Sequence, residues 1–202
     1  MGMKTLILKI HENAAEIGIN GEILTYRPEG KRLQHHLVSK INKYELLEFV
    51  NLDFQNVEVC DVSFIDEIVF QLSSIIKQEK PNVIVYISNL DEYVYDSLRA
   101  AQLLKEDKLS KNSKEKKRLP LLYYSKNGFQ IIGELEAILE ETFDLIKSRD
   151  GGITARDIAQ AKGIAINSSS NRLKKLFDYG LIQRTIITDN SGVYFQYLLP
   201  NV

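Results

Sequence analysis

Residues 153–200 read ITARDIAQAKGIAINSSSNRLKKLFDYGLIQRTIITDNSGVYFQYLLP, and the order of signals in them decides the fold of the C-terminal third. Thr154 is suited to cap a helix, and Asp157 follows three residues later, where a carboxylate meets the positive end of the helix dipole. Ile158 and Ala159 give that helix an inward face. Lys162-Gly163-Ile164 reads as a turn, because glycine ends a helix in the left-handed region at little cost. Ser168 to Tyr179 reads as a second helix with Leu173 and Leu176 inward, closed by Gly180 and followed by Leu181 in the core. Thr185 to Thr188 and Val193 to Leu199 are β-rich runs that bracket Asp189-Asn190-Ser191-Gly192, a hairpin tip. Upstream, Leu135, Ile138, Leu139, Phe143 and Ile146 recur at helical spacing before Asp150-Gly151-Gly152. The segment is therefore helix, helix, turn, helix, hairpin.

With Leu173 and Leu176 inward, the helix from Ser168 turns Ser168, Ser169, Asn171, Arg172 and Lys175 outward. Hydroxyls at a helix start suit phosphate oxygens, and Asn and Arg side chains can each make paired contacts to adenine or guanine edges. From Lys162 to Arg184 five basic residues stand against Asp178 alone. The acidic side chains Glu134, Glu136, Glu140 and Glu141 are expected on a different face. Lys174, Arg184 and Asn190 are further candidates for backbone phosphates. A plainer reading takes the same residues as solvated helix faces.

The preceding chain alternates strand and helix signals. Thr5–Ile10, Val57–Val62 and Val83–Ile87 read as strands, the last a continuous apolar run of the kind buried on both faces. Lys31–Tyr44, Asp66–Lys77 and Tyr93–Leu104 read as helices. Leu121–Tyr124 and Gly128–Ile132 form a pair of strands around Lys126-Asn127-Gly128. Between them, Lys105 to Arg118 carries seven basic and three acidic residues and reads as an exposed basic loop, 105–118. The expected architecture is an α/β layer with a partly parallel sheet over residues 1–132, followed by a small helical module over 133–202.

Composition narrows the partners. The 202-residue chain is 44% hydrophobic and 26% charged, the balance of an ordinary globular protein. Its formal net charge of −1 excludes whole-molecule attraction to polyanions, so any such binding rests on local patches. The single cysteine, Cys60, excludes an intramolecular disulfide and a cysteine-rich zinc site. The N-terminal MGMKTLILKI is too short an apolar run for a signal peptide, and no run approaches the roughly 20 residues of a membrane span. A cytoplasmic protein is the expectation.

Residues 133–202 resemble the winged helix-turn-helix of bacterial transcription regulators. The matching pieces are Thr154–Ala159, the Lys162-Gly163-Ile164 turn, Ser168–Tyr179 and the hairpin beyond Gly180 as the wing. The resemblance implies a DNA-binding regulator that lays its third helix in the major groove, as a possible homodimer reading half-sites about one helical turn apart. Two features depart from it: the wing tip has Asp189 and no Lys or Arg, and Phe177 fills a slot often charged. Residues 1–100, and further toward 132, resemble the STAS-like domains of unknown function of bacterial proteins. Asp53-Phe54, Ser63-Phe64-Ile65-Asp66-Glu67 and the upstream Arg27, Gly30 and Arg32 carry this likeness. It implies a sensory or protein-interaction module. Glu67 and Ile68 follow Asp66 where antagonist-type STAS domains place a phosphorylatable serine, so the resemblance implies no kinase-operated switch here.

Other chemistries find little support. His35 and His36 are adjacent and point about 100° apart on a helix, a poor chelating pair, with only His11 besides. Asp61, Asp66 and Glu67 lack a His or Cys companion, and no phosphate-cradling glycine loop occurs. The expectation is no enzyme, no cofactor and no metal. Double-stranded DNA is the expected partner, with protein docking by both modules as the alternative.

Overall fold

The computed structural model describes residues 4–111, 113, 116–149, 151–189 and 192–200. The chain divides into two compact units, Met1–Gly133 and Glu134–Val202.

The first unit is built on a five-stranded sheet in the order β1-β3-β5-β6-β7. Its strands are β1 (Thr5–Lys9), β3 (Phe49–Asp53), β5 (Ile84–Ser88), β6 (Leu121–Ser125) and β7 (Gly128–Ile132). Neighbours among the first four pair parallel, and β7 returns antiparallel against β6. The helices α1 (Ile10–Glu16), α2 (Arg27–Ile41), α4 (Leu72–Glu79) and α5 (Glu92–Lys111) fall between strands, as parallel connections require. The short strands β2 (Ile23–Leu24) and β4 (Val59–Cys60) pair only with each other.

The structure departs from two sequence expectations, the strand at 57–62 and the loop at 105–118. The sheet strand lies at Phe49–Asp53, where all five residues are buried, and not at Val57–Val62. Its alternation is masked by Asn51 and Asp53, whose side chains accept hydrogen bonds from the Ser88 hydroxyl at 2.9 Å and the Asn89 amide at 2.8 Å. Within Val57–Val62 only β4 (Val59–Cys60) is strand, paired with β2 outside the main sheet. The chain then enters a helix because Asp61 accepts the Phe64 amide at 2.7 Å and the Ser63 hydroxyl at 2.8 Å. The helix from that cap, α3 (Val62–Ile65), runs through a π-helical stretch, Asp66–Gln71, into α4. The wider π turn brings the consecutive residues Glu67, Ile68, Val69 and Phe70 all into the interior.

The basic segment 105–118 is also not a loop throughout, since α5 continues to Lys111. Buried polar groups hold this last stretch of helix. Gln102 is fully buried and its amide donates to the Leu119 carbonyl at 2.7 Å and the Ile132 carbonyl at 3.1 Å. The Glu106 carboxylate accepts the Leu119 amide at 2.7 Å. Gly133 ends the unit at φ +109, where a Cβ would stand 2.2 Å from the Gln102 amide nitrogen. Any side chain there would evict that bridge.

The second unit packs α6 (Ala137–Lys147), α7 (Ala155–Lys162) and α8 (Ile166–Asp178) against a three-stranded antiparallel sheet. The sheet runs β8-β10-β9, with β8 (Ile153–Thr154), β9 (Gln183–Asp189) and β10 (Gly192–Leu198). Thr154 and Asp157 form the reciprocal capping box expected of α7, and Gly163 closes that helix at φ +64. Leu139, Phe143, Ile146, Ile158, Leu173, Leu176 and Leu181 are buried. Ile138 stays exposed; Thr142 takes the interior position, its hydroxyl donating to the Ile138 carbonyl at 2.7 Å. The strand β8 is an addition to the expected elements.

Candidate nucleic-acid interface

A groove of about 970 Å³ opens in the second unit between the start of α7, one side of α8 and the β9–β10 hairpin. Helix α8 contributes Ile166, Ser170, Asn171 and Lys174, whose three- and four-residue spacing stacks them along one row. Arg156 comes from the first turn of α7, and Arg184, Asp189, Tyr194, Phe195 and Tyr197 come from the hairpin.

Two carboxylates line this groove, and both are engaged. Asp157 accepts the Thr154 hydroxyl at 2.7 Å and the Thr154 amide at 2.8 Å, and Arg149 approaches it at 3.3 Å. The Thr154 hydroxyl above all, with Arg149 nearby, holds the Asp157 carboxyl below its ordinary range. Asp189 accepts the Tyr194 hydroxyl at 2.8 Å, which raises the tyrosine's pKa. Three cations remain along the groove: Arg156, Lys174 and Arg184. Lys174 also reaches Asp178 at 2.6 Å through an exposed i,i+4 contact, an arrangement worth well under 1 kcal/mol.

Arg184 is held in an unusual way. Its guanidinium lies 4.2 Å from the centroid of Phe177 and 4.6 Å from that of Phe195. Burial raises the Tyr197 pKa, and the neighbouring Arg184 opposes that rise. Phe177, out of place among charged residues in the sequence, is thus a wall for a cation of its own unit.

The residues expected to face a ligand from α8 divide among three directions. Asn171 and Lys174 line the groove, with Arg184 opposite. Ser168, Arg172 and Lys175 lie on another side of the helix, where Lys175 pairs with Glu136 at 3.1 Å. Ser169 is fully buried rather than outward, its hydroxyl set 3.4 Å from the Ala165 carbonyl. Asn190 lies outside the described residues. The acidic residues of α6 are not segregated from the basic ones either, because Glu141 pairs with Lys162 at 3.1 Å. Sequence reasoning missed Arg156, Tyr194 and Phe195. Arg156 had a local signal, its place in the first turn after a capping threonine; the aromatic pair had none.

In the first unit, several residues that carry the STAS-like resemblance, Arg27, Gly30, Ser63, Phe64, Asp66 and Glu67, converge around one helix start. Asp61 accepts the Tyr26 amide at 3.0 Å besides those of its own helix. Arg27 spans Asp66, at 2.9 Å, and Glu67. Lys105 reaches the other Asp66 oxygen at 2.5 Å and lies over the Phe70 ring. Burial pushes the Asp66 carboxyl up, but the bonds from Lys105 and Arg27 outweigh it and hold the group below its usual range. Gly30 lets α2 approach: a Cβ there would stand 3.3 Å from both the Glu67 Cβ and the Phe64 Cα. Tyr26 adopts φ +76 beside this cluster. Arg32 is turned elsewhere and donates to the Ile17 carbonyl at 2.9 Å.

Among the described residues no group of three or more His, Cys, Asp or Glu is placed to hold a metal ion. His36 is engaged by Glu16 at 3.0 Å. Cys60 is buried, and desolvation pushes its thiol pKa up, away from nucleophilic chemistry. No helix of the described residues is long and apolar enough to cross a membrane.

No family model and no curated protein matches the chain. Two solved structures of the RcsB response regulator of Salmonella typhimurium, described for conformational dynamism in DNA interaction, align with it. The first is 12% identical, over 90% of this chain and 94% of that one, with a TM-score of 0.24. The second is 13% identical, over 89% and 93%, with a TM-score of 0.23. Likeness at that level carries no argument about fold or function, so the chain's own geometry must supply one.

Proposed function

We propose that residues 134–202 form a winged helix-turn-helix that binds nucleic acid, with duplex DNA as its ligand, and that residues 1–133 form a STAS-like sensory or protein-interaction module of a transcription regulator. The observation that carries this reading is the groove between α8 and the hairpin, where Arg156, Lys174 and Arg184 converge with Asn171. Three cations along one concavity suit the negative charge of a phosphate backbone, while an asparagine beside them can pair with a base edge. In this reading α8 is the recognition helix and β9–β10 is the wing. The interacting face is the groove side, with Asn171, Lys174 and Arg184, rather than the side holding Ser168, Arg172 and Lys175. No enzymatic role, cofactor or metal enters the proposal.

Fluorescence anisotropy of the full chain against a labelled random-sequence duplex tests it. Micromolar binding whose logarithm falls linearly with the logarithm of salt is the expected result, with a slope that reports about three phosphate contacts. No binding at low salt would overturn it.

A second reading, protein docking without DNA, has one specific observation behind it. Ile186, Thr188, Phe195 and Val193 share one face of the hairpin through the pairs Ile186–Phe195 and Thr188–Val193. Three of these are apolar and exposed, Val193 at 72% and Ile186 at 63%. An apolar stripe of this kind on a hairpin is a frequent element of protein contacts. Binding of the chain to a partner protein with no response to duplex competitor would favour this adaptor reading.

A further inference from the structure

The Arg184 guanidinium lies over two rings, Phe177 at 4.2 Å and Phe195 at 4.6 Å, and lines a groove with Lys174 and Tyr197. A guanidinium is planar and carries all its N–H donors in that plane. A guanidinium that stacks on rings keeps its in-plane edge for a ligand. An edge-on guanidinium offers two parallel donors to two oxygens of one anion, the geometry of a phosphate diester. Both aromatic walls are built by the chain at separate places: Phe177 from the last turn of α8, and Phe195 from β10 beside the strand that bears Arg184.

We propose that Arg184 is a pre-oriented fork that seats one backbone phosphate of a nucleic acid, with Phe177 and Phe195 as the positioning residues that fix its plane and Lys174 as a second cation on the same phosphate run. The inference rests on the nucleic-acid reading above and adds the chemistry of its grip. Packing the side chain against two rings lowers the rotamer freedom that an arginine otherwise loses on binding. Arg184 therefore ranks as the principal contact of the hairpin rather than an incidental surface charge. A lysine in the same place would keep the charge and lose the plane.

The test uses the full chain, a labelled random-sequence duplex and a salt titration read by anisotropy, with thermal melts to verify folding. The wild type binds with a steep salt dependence. Arg184→Ala weakens binding and lowers the salt slope by about one. Arg184→Lys preserves the slope, because the charge remains, yet weakens binding about tenfold. Phe195→Leu weakens binding severalfold with Arg184 intact, and Phe195→Tyr, which restores a ring, restores affinity. A merely structural role for the rings would move the melting temperature and leave affinity and slope alone. If the wild type binds but Arg184→Lys and Phe195→Leu bind as it does, the fork is overturned while the nucleic-acid reading stands. If the wild type fails to bind duplex at low salt, both are overturned.

Discussion

Two of the charge clusters among the described residues, one in each unit, use the same residue types to opposite ends. Around the start of the helix at Val62, Arg27 and Lys105 spend their charge on Asp66 and Glu67, so the cluster closes on itself. In the C-terminal unit, Arg184 is stacked on aromatic rings, which orient a cation without neutralising it. A carboxylate partner satisfies a charge; a ring only aims it. Neighbours on α8 differ in place rather than in pairing: Lys175 meets Glu136 at 3.1 Å and Lys174 meets Asp178 at 2.6 Å, but only Lys174 lines the groove. A count of basic residues along the sequence cannot see this difference, and it decides which of them remain available to a ligand.

The contrast is open to disruption, beginning with the closed cluster. Glu67 is buried, with its side chain 5% exposed, so Arg27→Ala leaves a carboxylate without its partner in the interior. The Arg27 side chain is 45% exposed, so solvent screens the pair and the cost falls below that of a fully buried one, about 2 kcal/mol, which urea unfolding of the full chain is expected to show. If Arg27→Ala unfolds at the wild-type denaturant concentration, the cluster is not structural. In the open cluster, Arg184→Ala leaves no buried carboxylate behind. Its expected effect is a loss of duplex affinity of about tenfold, or roughly 1.4 kcal/mol, with a much smaller change in stability. Thr154→Ala removes one half of the capping box at the base of the groove and is expected to lower stability by about 1 kcal/mol, measured by thermal melting.

Acid sharpens the comparison further. The folded-state pKa of Asp66 is depressed below its unfolded value, so its contribution to stability is present above the unfolded pKa and is lost as pH falls through the folded one. Stability measured below pH 4 is expected to decline more steeply in the wild type than in Asp66→Asn. Equal slopes would mean that the ion pairs to Arg27 and Lys105 contribute nothing. The smallest effect is expected at Lys175, whose exposed pair with Glu136 contributes between 0 and about 1 kcal/mol. Lys175→Ala should shift neither the melting temperature nor duplex affinity by much.

Much of the fold was legible because its signals are local. The Thr154–Asp157 box, the Gly163 terminus, the buried run at Ile84–Ile87 and the hairpin around Gly128 each depend on a few adjacent residues. What stayed hidden depends on distant partners. The strand Phe49–Asp53 reads as polar because Asn51 and Asp53 bond to Ser88 and Asn89 on the next strand and its flank. Lys105 and Glu106 read as loop because their partners, Asp66 and the Leu119 amide, lie far along the chain. Ser169 passes for a surface hydroxyl, yet it is small enough to be buried beside the Ala165 carbonyl. The candidate site was half visible for the same reason. Asn171, Lys174 and Arg184 could be picked by type, but the side of α8 they share, and the rings that hold Arg184, follow only from the packing.

The measurement that tests the account most directly sets the two sides of α8 against each other in one salt titration with duplex DNA. The groove-side variant is Lys174→Ala with Arg184→Ala, and the other-side variant is Arg172→Ala with Lys175→Ala; each removes two positive charges. The account predicts that the groove-side variant loses most of its affinity and about two units of salt slope, while the other binds within about twofold of the wild type. Equal losses from both variants, or a greater loss from Arg172→Ala with Lys175→Ala, would contradict it.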